Sequence, residues 1–450
     1  MSGFLRWILP SFFTSSDSAT RTKTAEHTAN LALASLQTHQ WQQLRSLFLP
    51  VLRYIITEKM LEKGWHFTQL TFGRFEHHGP PSCSVGWLYT TVTVPVQFKR
   101  VTMVASMHMT HVGSIFSLRL SPALLSEWKT PSYAPSPGEI RETKLRFGRG
   151  LFKVGGTITL PSPTKPGKYP CVILISGSGP LSRDSEVGAL KPFKDIALGL
   201  AQHGIATCRL DKATYIYRLW YMINRWHAKR ITLLEEYAEI FNAISHIARQ
   251  GHADIDSNRI YTLGHSLGGL IAAHAAATEE SVKGCILLAT PYESVYRSAI
   301  RQFRYLASIE ESEEVRRQSL LDAEELEVKA ALADSSELSL STPVEKLPFG
   351  VGAGYWLECR RLGIRETARE LRKPVLVLQG ERDYQVDMGD YAKLRGSLCD
   401  HPDVEFKVFD RLNHCFVAGE GVPNPAEYHV PGNVSLDVIE AVSPWVDKLS

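Results

Sequence analysis

Four things are scarce in this 450-residue chain, and each scarcity closes off a class of protein. Cysteines number seven. They fall at Cys83, Cys171, Cys208, Cys285, Cys359, Cys399 and Cys415, an odd set without C-x-x-C spacing, which argues against a disulfide framework or a zinc ribbon. Cys171, Cys208 and Cys285 lie in or beside apolar runs, where a thiol serves as a small hydrophobe, so a reduced, cytoplasmic setting is expected. Excess charge of one sign is scarce too: 50 Lys and Arg stand against 47 Asp and Glu, a net +3. There is no block of like charge and no RNA-binding signature, so no nucleic-acid partner is expected. Long hydrophobic runs are missing, and none could span a bilayer. The opening "MSGFLRWILPSFFTSSDSA" has one arginine, a short apolar patch broken by Pro10 and no clear A-x-A site, so residues 1–24 read as a flexible start rather than a secretion signal. Phosphate cradles are the fourth lack: no G-K-[ST] occurs, and "ISGSGP" does not match a dinucleotide fingerprint. The pairs His77 with His78 and His108 with His111 have no completing carboxylates or cysteines at ligand spacing, so no metal is expected.

What is present is ordinary globular composition, 44% hydrophobic and 22% charged, in a chain long enough for two domains. Residues 25–62 carry apolar positions at helical spacing broken by Pro50, which predicts two helices. Residues 67–120 switch to alternation rich in Thr, Val and aromatics, which predicts three or four antiparallel strands. Together 25–120 form an α+β accessory domain, and the proline-rich stretch 121–138 reads as a linker. From 139 to 450 the pattern changes. Two strands at 140–147 and 151–160 precede the short apolar runs "YPCVILISGSGP", "GIATCRL", "RIYTLGHS", "GCILLATP", "KPVLVLQGERD" and "VEFKVFD", with helical patterns between the interior ones. That alternation predicts an α/β domain with a mostly parallel sheet covered on both faces. Residues 292–372, charged and helical, are too long for a simple crossover and stand where a lid would be.

The stretch "IYTLGHSLGGLIAAHAAA" places Ser266 between Gly264 and Gly268, where a strand-like run becomes a helix-like one. G-x-S-x-G in that context is a tight, strained turn that exposes the serine Oγ, and the N–H of Leu267 at the helix start can donate to a developing oxyanion. A nucleophilic serine needs a base and an orienting acid, which in this architecture follow in the order Ser, Asp or Glu, His. Asp383 stands in the loop after "KPVLVLQG" and His414 in the loop after "VEFKVFD", both at strand ends where chemistry gathers in open parallel sheets. Asp387 and Asp410, in nearby loops, are alternatives to Asp383. In "ISGSGP" the second oxyanion donor is Ser178, or Gly177 or Gly179 beside it. His265 reads as a packing or hydrogen-bonding neighbour and Cys415 as core. Trp220, Trp226, Tyr355 and Trp356 either line an acyl pocket or form the small core of the lid.

From about residue 139 onward the chain resembles α/β-hydrolase superfamily serine esterases of the dienelactone hydrolase and prolyl oligopeptidase-like branch. The matching stretches are "GTITLP", "GSGP" with "RD" after it, "KPFKDIALGLAQHGIATCRLDK", "GHSLGG", "LVLQGERDYQV" and "LNHCF". The last two carry that family's acid and histidine onto Asp383 and His414. The segment before the linker is similar to the small accessory domain that precedes such hydrolases, of cystatin-like or nuclear-transport-factor-like fold, whose open roles are dimerisation, roofing the site or binding a partner. The resemblance implies a cofactor-free serine hydrolase acting on small-molecule esters of small to medium acyl groups. Thioester cleavage, acyl transfer and cyclisation in a biosynthetic pathway are the alternatives, and a catalytically silent binding protein is the non-enzyme one. Two departures stand out. Ser176 and Gly177 replace the family's usual His-Gly, and Ala213 follows "LDK" where many relatives have arginine, before the aromatic and basic run "TYIYRLWYMINRWHAKR".

Overall fold

The structure, a computed structural model, describes residues 17–122, 128–136, 138–149, 152–161, 168–250 and 252–449. It divides into two compact units, one of residues up to 126 together with 304–321, the other of 127–303 with 322–450.

The first unit opens with helix α1 (Ser18–Gln37), whose N-cap Asp17 accepts a hydrogen bond from the Thr20 amide. A capping aspartate satisfies an N–H that the helix itself cannot, so the helix starts earlier than residue 25. The expected flexible start therefore meets a helix from Ser18 on, and its first sixteen residues lie outside the described ones. Beyond Pro50 the chain forms a further helix, α2 (Glu58–Phe72), capped by Thr57 and closed at Gly73 with φ of 83°. Residues 67–72, read as strand from their aromatics and threonines, belong to that helix because its N-cap and stop bracket them. Five strands follow: β1 (Phe75–His78), β2 (Ser82–Val85), β3 (Thr90–Phe98), β4 (Thr102–Met109) and β5 (Ile115–Pro122). They pair antiparallel in the order β1-β3-β4-β5, with β2 also on β3. The buried positions of β3 alternate, Val92, Val94, Val96 and Phe98 facing inward, and they pack with Trp65, Phe75 and the apolar face of α1.

The second unit holds an eight-stranded sheet. Its strands are β6 (Ile140–Arg149), β7 (Phe152–Pro161), β8 (Tyr169–Ile175), β9 (Ala206–Leu210), β10 (Ile255–His265), β11 (Val282–Leu288), β12 (Val375–Gly380) and β13 (Val404–Phe409), in the spatial order 13-12-11-10-8-9-7-6. The six from β8 to β13 run parallel, and β6 and β7 join antiparallel at one edge. Every residue of β8, β9 and β12 is buried, as expected where helices cover both faces of a parallel sheet. One face packs on α3 (Pro192–Gln202) and the C-terminal helix Leu436–Lys448 around Phe193, Ile439 and Trp445. The other packs on α4 (Ala238–Ser245) and α5 (Gly268–Thr278).

The stretch expected as a lid contains α6 (Val295–Ser308), α7 (Glu313–Asp334) and α8 (Ala353–Arg361). Tyr296, Ile300, Ala330, Leu347, Trp356 and Leu371 share the apolar core of the α4–α5 face. The described part of the linker is tied down as well: Trp128 Nε1 donates to Asp195 at 2.7 Å and the Tyr133 hydroxyl to the Val434 carbonyl at 2.7 Å. Burial pushes the Asp195 carboxyl up to about 6 although Trp128, the Val434 amide and Asn433 all donate to it. Among the described residues no helix is long and apolar enough to cross a membrane.

Candidate active site

Ser266 follows β10 directly and has φ of +54°. A left-handed backbone at a residue with a Cβ is strained, and the surroundings hold it there. The Ser266 amide donates to the Leu288 carbonyl at 2.8 Å, and its own carbonyl accepts from Gly269 at 2.9 Å. The flanking glycines are required by close approach: a Cβ at Gly264 would collide with the Gly268 carbonyl, and one at Gly268 with the Ile175 carbonyl. Leu267 occupies the N-cap of α5, where helix N–H groups have no partner within the helix and form the positive end of its dipole.

Asp383 and His414 come from the ends of the next strands. The register aligns Leu288 of β11 with Leu378 of β12, and Gly380 of β12 with Phe409 of β13, so the loops after β12 and β13 leave the sheet side by side. His414 Nδ1 and Asp383 Oδ2 are 2.6 Å apart, with the aspartate side chain fully buried. The other carboxylate oxygen accepts from the Gln385 and Val386 amides at 2.8 and 2.9 Å. These donors fix the Asp383 side chain with its other oxygen aimed at one imidazole nitrogen, a contact that orients the ring and turns its Nε2 edge away from the aspartate.

Two side chains outside the sequence prediction shape these loops. Gln379 braces the loop of Asp383, donating through Nε2 to the Val386 carbonyl at 2.8 Å. Asn413 accepts from the Cys415 and Val417 amides at 3.0 and 3.2 Å, forming the turn that presents His414. An amide next to a catalytic candidate is a turn signal the sequence did carry.

The remaining candidates sort by position. His265 donates from Nε2 to the His414 carbonyl at 2.7 Å, and its ring lies 4.5 Å from the His414 ring. Burial, reinforced by His414, lowers its pKa to about 3. Asp387 caps the helix Met388–Ser397 and pairs with Arg301, so it is turned away from His414. Asp410 is exposed. Cys415 is buried, and burial pushes its thiol up. Gly177 lies against the serine, an added Cβ there falling 3.0 Å from Ser266 Cβ and 3.6 Å from Oγ.

A cavity of about 540 Å³ opens on Ser266 and Leu267, with Ser178 and Gly179 at its rim. Its walls are largely apolar and aromatic: Tyr221, Ile231, Phe349, Val351, Tyr355 and Trp356. Tyr355 and Trp356 thus belong to the apolar core and line the cavity as well. Trp226 is 65% exposed and stacked by Arg230, so it is no part of that wall. Its neighbour Tyr221 is, a residue the aromatic run contained but periodicity could not single out. All lining residues belong to the second unit.

Beneath the loop 176–179 lies a group the sequence reading passed over. Lys212 Nζ donates to the Gly177 carbonyl at 3.0 Å and the Tyr237 hydroxyl at 3.0 Å, and pairs with Glu236 at 2.8 Å. The signal was the lysine of "LDK", a charge two residues after the end of a fully buried strand. The "RD" pair also acquires a role: Arg183 binds Asp211, and Asp184 binds Arg209, crossing the loop to the end of β9.

A mostly parallel sheet of this order, carrying a strained serine on the strand-to-helix turn after β10, an aspartate two strands away after β12 and the imidazole it holds after β13, defines an α/β-hydrolase. The chain belongs to the family described as serine aminopeptidase, S33, whose model matches residues 190–420, a span that includes Ser266, Asp383 and His414 but not Ser178. It is 29% identical over 360 residues to esterase EstD of Thermotoga maritima, covering 80% of each chain. Among solved structures it is similar to Est1E from Butyrivibrio proteoclasticus, at 17% identity and a TM-score of 0.42 over 68% of this chain and 98% of that one. It is also similar to the Pyrococcus furiosus esterase Pf2001, at 12% identity and a TM-score of 0.41 over 73% and 98%.

Proposed function

We propose that this chain hydrolyses carboxylic esters of small to medium acyl groups through an acyl-serine intermediate, with Ser266 as nucleophile, His414 as general base and Asp383 as the acid that orients it. The observation that carries the reading is the buried 2.6 Å contact between Asp383 and His414, whose ring lies 4.5 Å from that of His265, the residue preceding the strained Ser266. The identity to an esterase over 80% of both chains supports esters as the substrates. The cavity supports them against peptides with a free amino end, which need an unpaired carboxylate to hold an ammonium group. Glu236, the carboxylate in the lining, is committed to Lys212 and to the Tyr355 hydroxyl.

The chemistry runs in two halves. Ser266 Oγ attacks the acyl carbon while His414 Nε2 takes its proton, and Asp383 stabilises the imidazolium. The carbonyl oxygen becomes an oxyanion facing the N–H groups of Leu267 and Ser178. The tetrahedral intermediate collapses, the C–O bond to the alcohol breaks, and His414 gives the proton to the leaving oxygen. Water then enters, His414 takes one of its protons, and hydroxide attacks the acyl-serine. Collapse expels the Ser266 alkoxide, which regains the proton, and the carboxylic acid leaves. No oxidant, reductant or cofactor enters this balance.

We take the second unit as the catalytic part, with residues 292–303 and 322–372 supplying cavity wall, and the first unit as the accessory domain. The free state of all seven cysteines supports a cytoplasmic location. The test is labelling by a fluorescent fluorophosphonate together with turnover of a nitrophenyl ester series from acetate upward. Ser266→Ala is expected to abolish labelling and lower kcat on the order of 10⁵-fold with melting unchanged. Retained turnover in the pure variant would remove Ser266 from its role.

A further inference from the structure

The oxyanion donor assigned to Ser178 is the N–H of the peptide unit whose carbonyl belongs to Gly177. A trans peptide is planar, with C=O and N–H pointing in opposite directions. Whatever holds the Gly177 oxygen therefore sets the direction of the Ser178 hydrogen. Two buried side chains hold it: Lys212 Nζ at 3.0 Å and the Tyr237 hydroxyl at 2.8 Å. The same hydroxyl lies 3.0 Å from the Ser176 carbonyl. Lys212 and Tyr237 are 5% and 2% exposed, so little water competes for that oxygen.

The hydrogen-bond accounting closes. An ammonium group has three N–H donors, and Lys212 spends them on Gly177, Tyr237 and Glu236. The Tyr237 oxygen accepts from Lys212, which leaves its single proton for the backbone carbonyl. Glu236 neutralises Lys212 with one carboxylate oxygen and accepts from the Tyr355 hydroxyl with the other, at 2.9 Å. The Lys212 cation also sits over the Tyr237 ring, 4.2 Å from its centre. A charged pair out of water persists only when every member is satisfied in this way.

We propose that Lys212 and Tyr237 are positioning residues for the oxyanion hole: they clamp the Gly177 carbonyl from behind, direct the Ser178 N–H toward the reacting carbonyl oxygen, and polarise that peptide. A cation and a hydroxyl on the carbonyl draw electron density from the amide, so the N–H becomes a stronger donor as negative charge develops. This rests on Ser266 and Ser178 acting as described above. It also accounts for the missing histidine of the oxyanion loop: the device that sets the loop lies beneath it, in the lysine after β9 and the tyrosine before α4.

The experiment compares Tyr237→Phe, and Lys212→Met combined with Glu236→Gln so that no charge is left buried alone, with the parent protein. Each is measured for kcat and KM on a nitrophenyl ester and for inhibition by an alkyl trifluoromethyl ketone. Ser266 Oγ adds to that ketone, its proton passes to His414, and the resulting hemiketal oxyanion mimics the transition state. The expected result is a kcat about 10-fold lower in Tyr237→Phe and about 100-fold lower in the double variant, KM nearly constant, and ketone inhibition weakened by the same factors. A pillar that only supports the fold would lower the melting temperature without that matched loss. Unchanged kcat in a folded variant, a rise in KM alone, or a fall in kcat with undiminished ketone inhibition each overturns the proposal. If the double variant does not fold, Tyr237→Phe decides, since it removes one oxygen and keeps the ring. Turnover by Ser266→Ala would instead overturn the underlying reaction, whatever the clamp variants do.

Discussion

At the scale of the residue, the site depends on groups whose alternatives are excluded by contact. Gly264→Ala would drive a Cβ into the Gly268 carbonyl, and backbone cannot yield as a side-chain tip can. That variant is expected to lose the strained turn, melting many degrees lower and failing to react with a fluorophosphonate. His265 shows how burial beside the proposed nucleophile suppresses the charge of an imidazole. Its pKa falls from 6.5 in the unfolded chain to about 3 in the fold, so the unfolded chain binds a proton that the folded one refuses. Its contribution to stability is intact above pH 6.5 and is lost as pH falls toward 3. His265→Gln keeps a donor for the His414 carbonyl and does not titrate. Denaturant titrations across that window should show a shallower loss of stability in the variant, and an identical slope would contradict the assignment.

At the scale of the element, the geometry of the proposed triad is set by how loops leave strands. Asn413 closes the turn after β13 by accepting from the amides of Cys415 and Val417. Asn413→Ala leaves those donors unsatisfied in a buried turn, at a cost of about 1–3 kcal/mol, and lets the imidazole drift from Asp383. A kcat lower by roughly 10- to 100-fold at nearly constant KM is expected, read from steady-state kinetics. The acidic and basic side chains around β9 act similarly at a distance. Arg183 with Asp211, and Arg209 with Asp184, hold the loop that follows residues 176–179 against the end of β9, just before Lys212.

At the scale of the whole molecule, the chain is two units whose boundaries are not single points in the sequence. Residues 304–321, the end of α6 and the start of α7, belong with the N-terminal unit. Within that unit Arg100 pairs with Glu310 at 2.8 Å, and the glutamate side chain is 1% exposed. Removing Glu310 leaves the Arg100 guanidinium, 16% exposed and still bonded to the Leu70 carbonyl, without its charged partner, a loss of about 1–3 kcal/mol. Glu310→Ala should therefore lower the melting temperature of the full chain clearly, while Glu311→Ala, whose carboxylate is 78% exposed, should change it little. Calorimetry of the two variants distinguishes them, and equal effects would remove Glu310 from the interior of that unit.

The sequence by itself determined what local physics can write. Periodicity and doubly buried runs announced the parallel sheet, because strands covered on both faces must be apolar throughout. Glycines at 264 and 268 announced the tight turn, and short strands followed by Asp383 and His414 put both side chains at one sheet edge. Tertiary structure decided what depends on residues distant in the chain. Gln379 and Asn413 brace the loops of Asp383 and His414; Tyr221 and Phe349 reach the cavity while Trp226 stays in water; residues 304–321 join the other unit. Lys212 is the clearest case. A lysine after a strand is solvated or buried according to whether Glu236, Tyr237 and the Gly177 carbonyl meet it there. Only the packing of α4 and its preceding turn against β8 and β9 brings those partners within hydrogen-bonding distance, and no spacing in the sequence encodes that meeting.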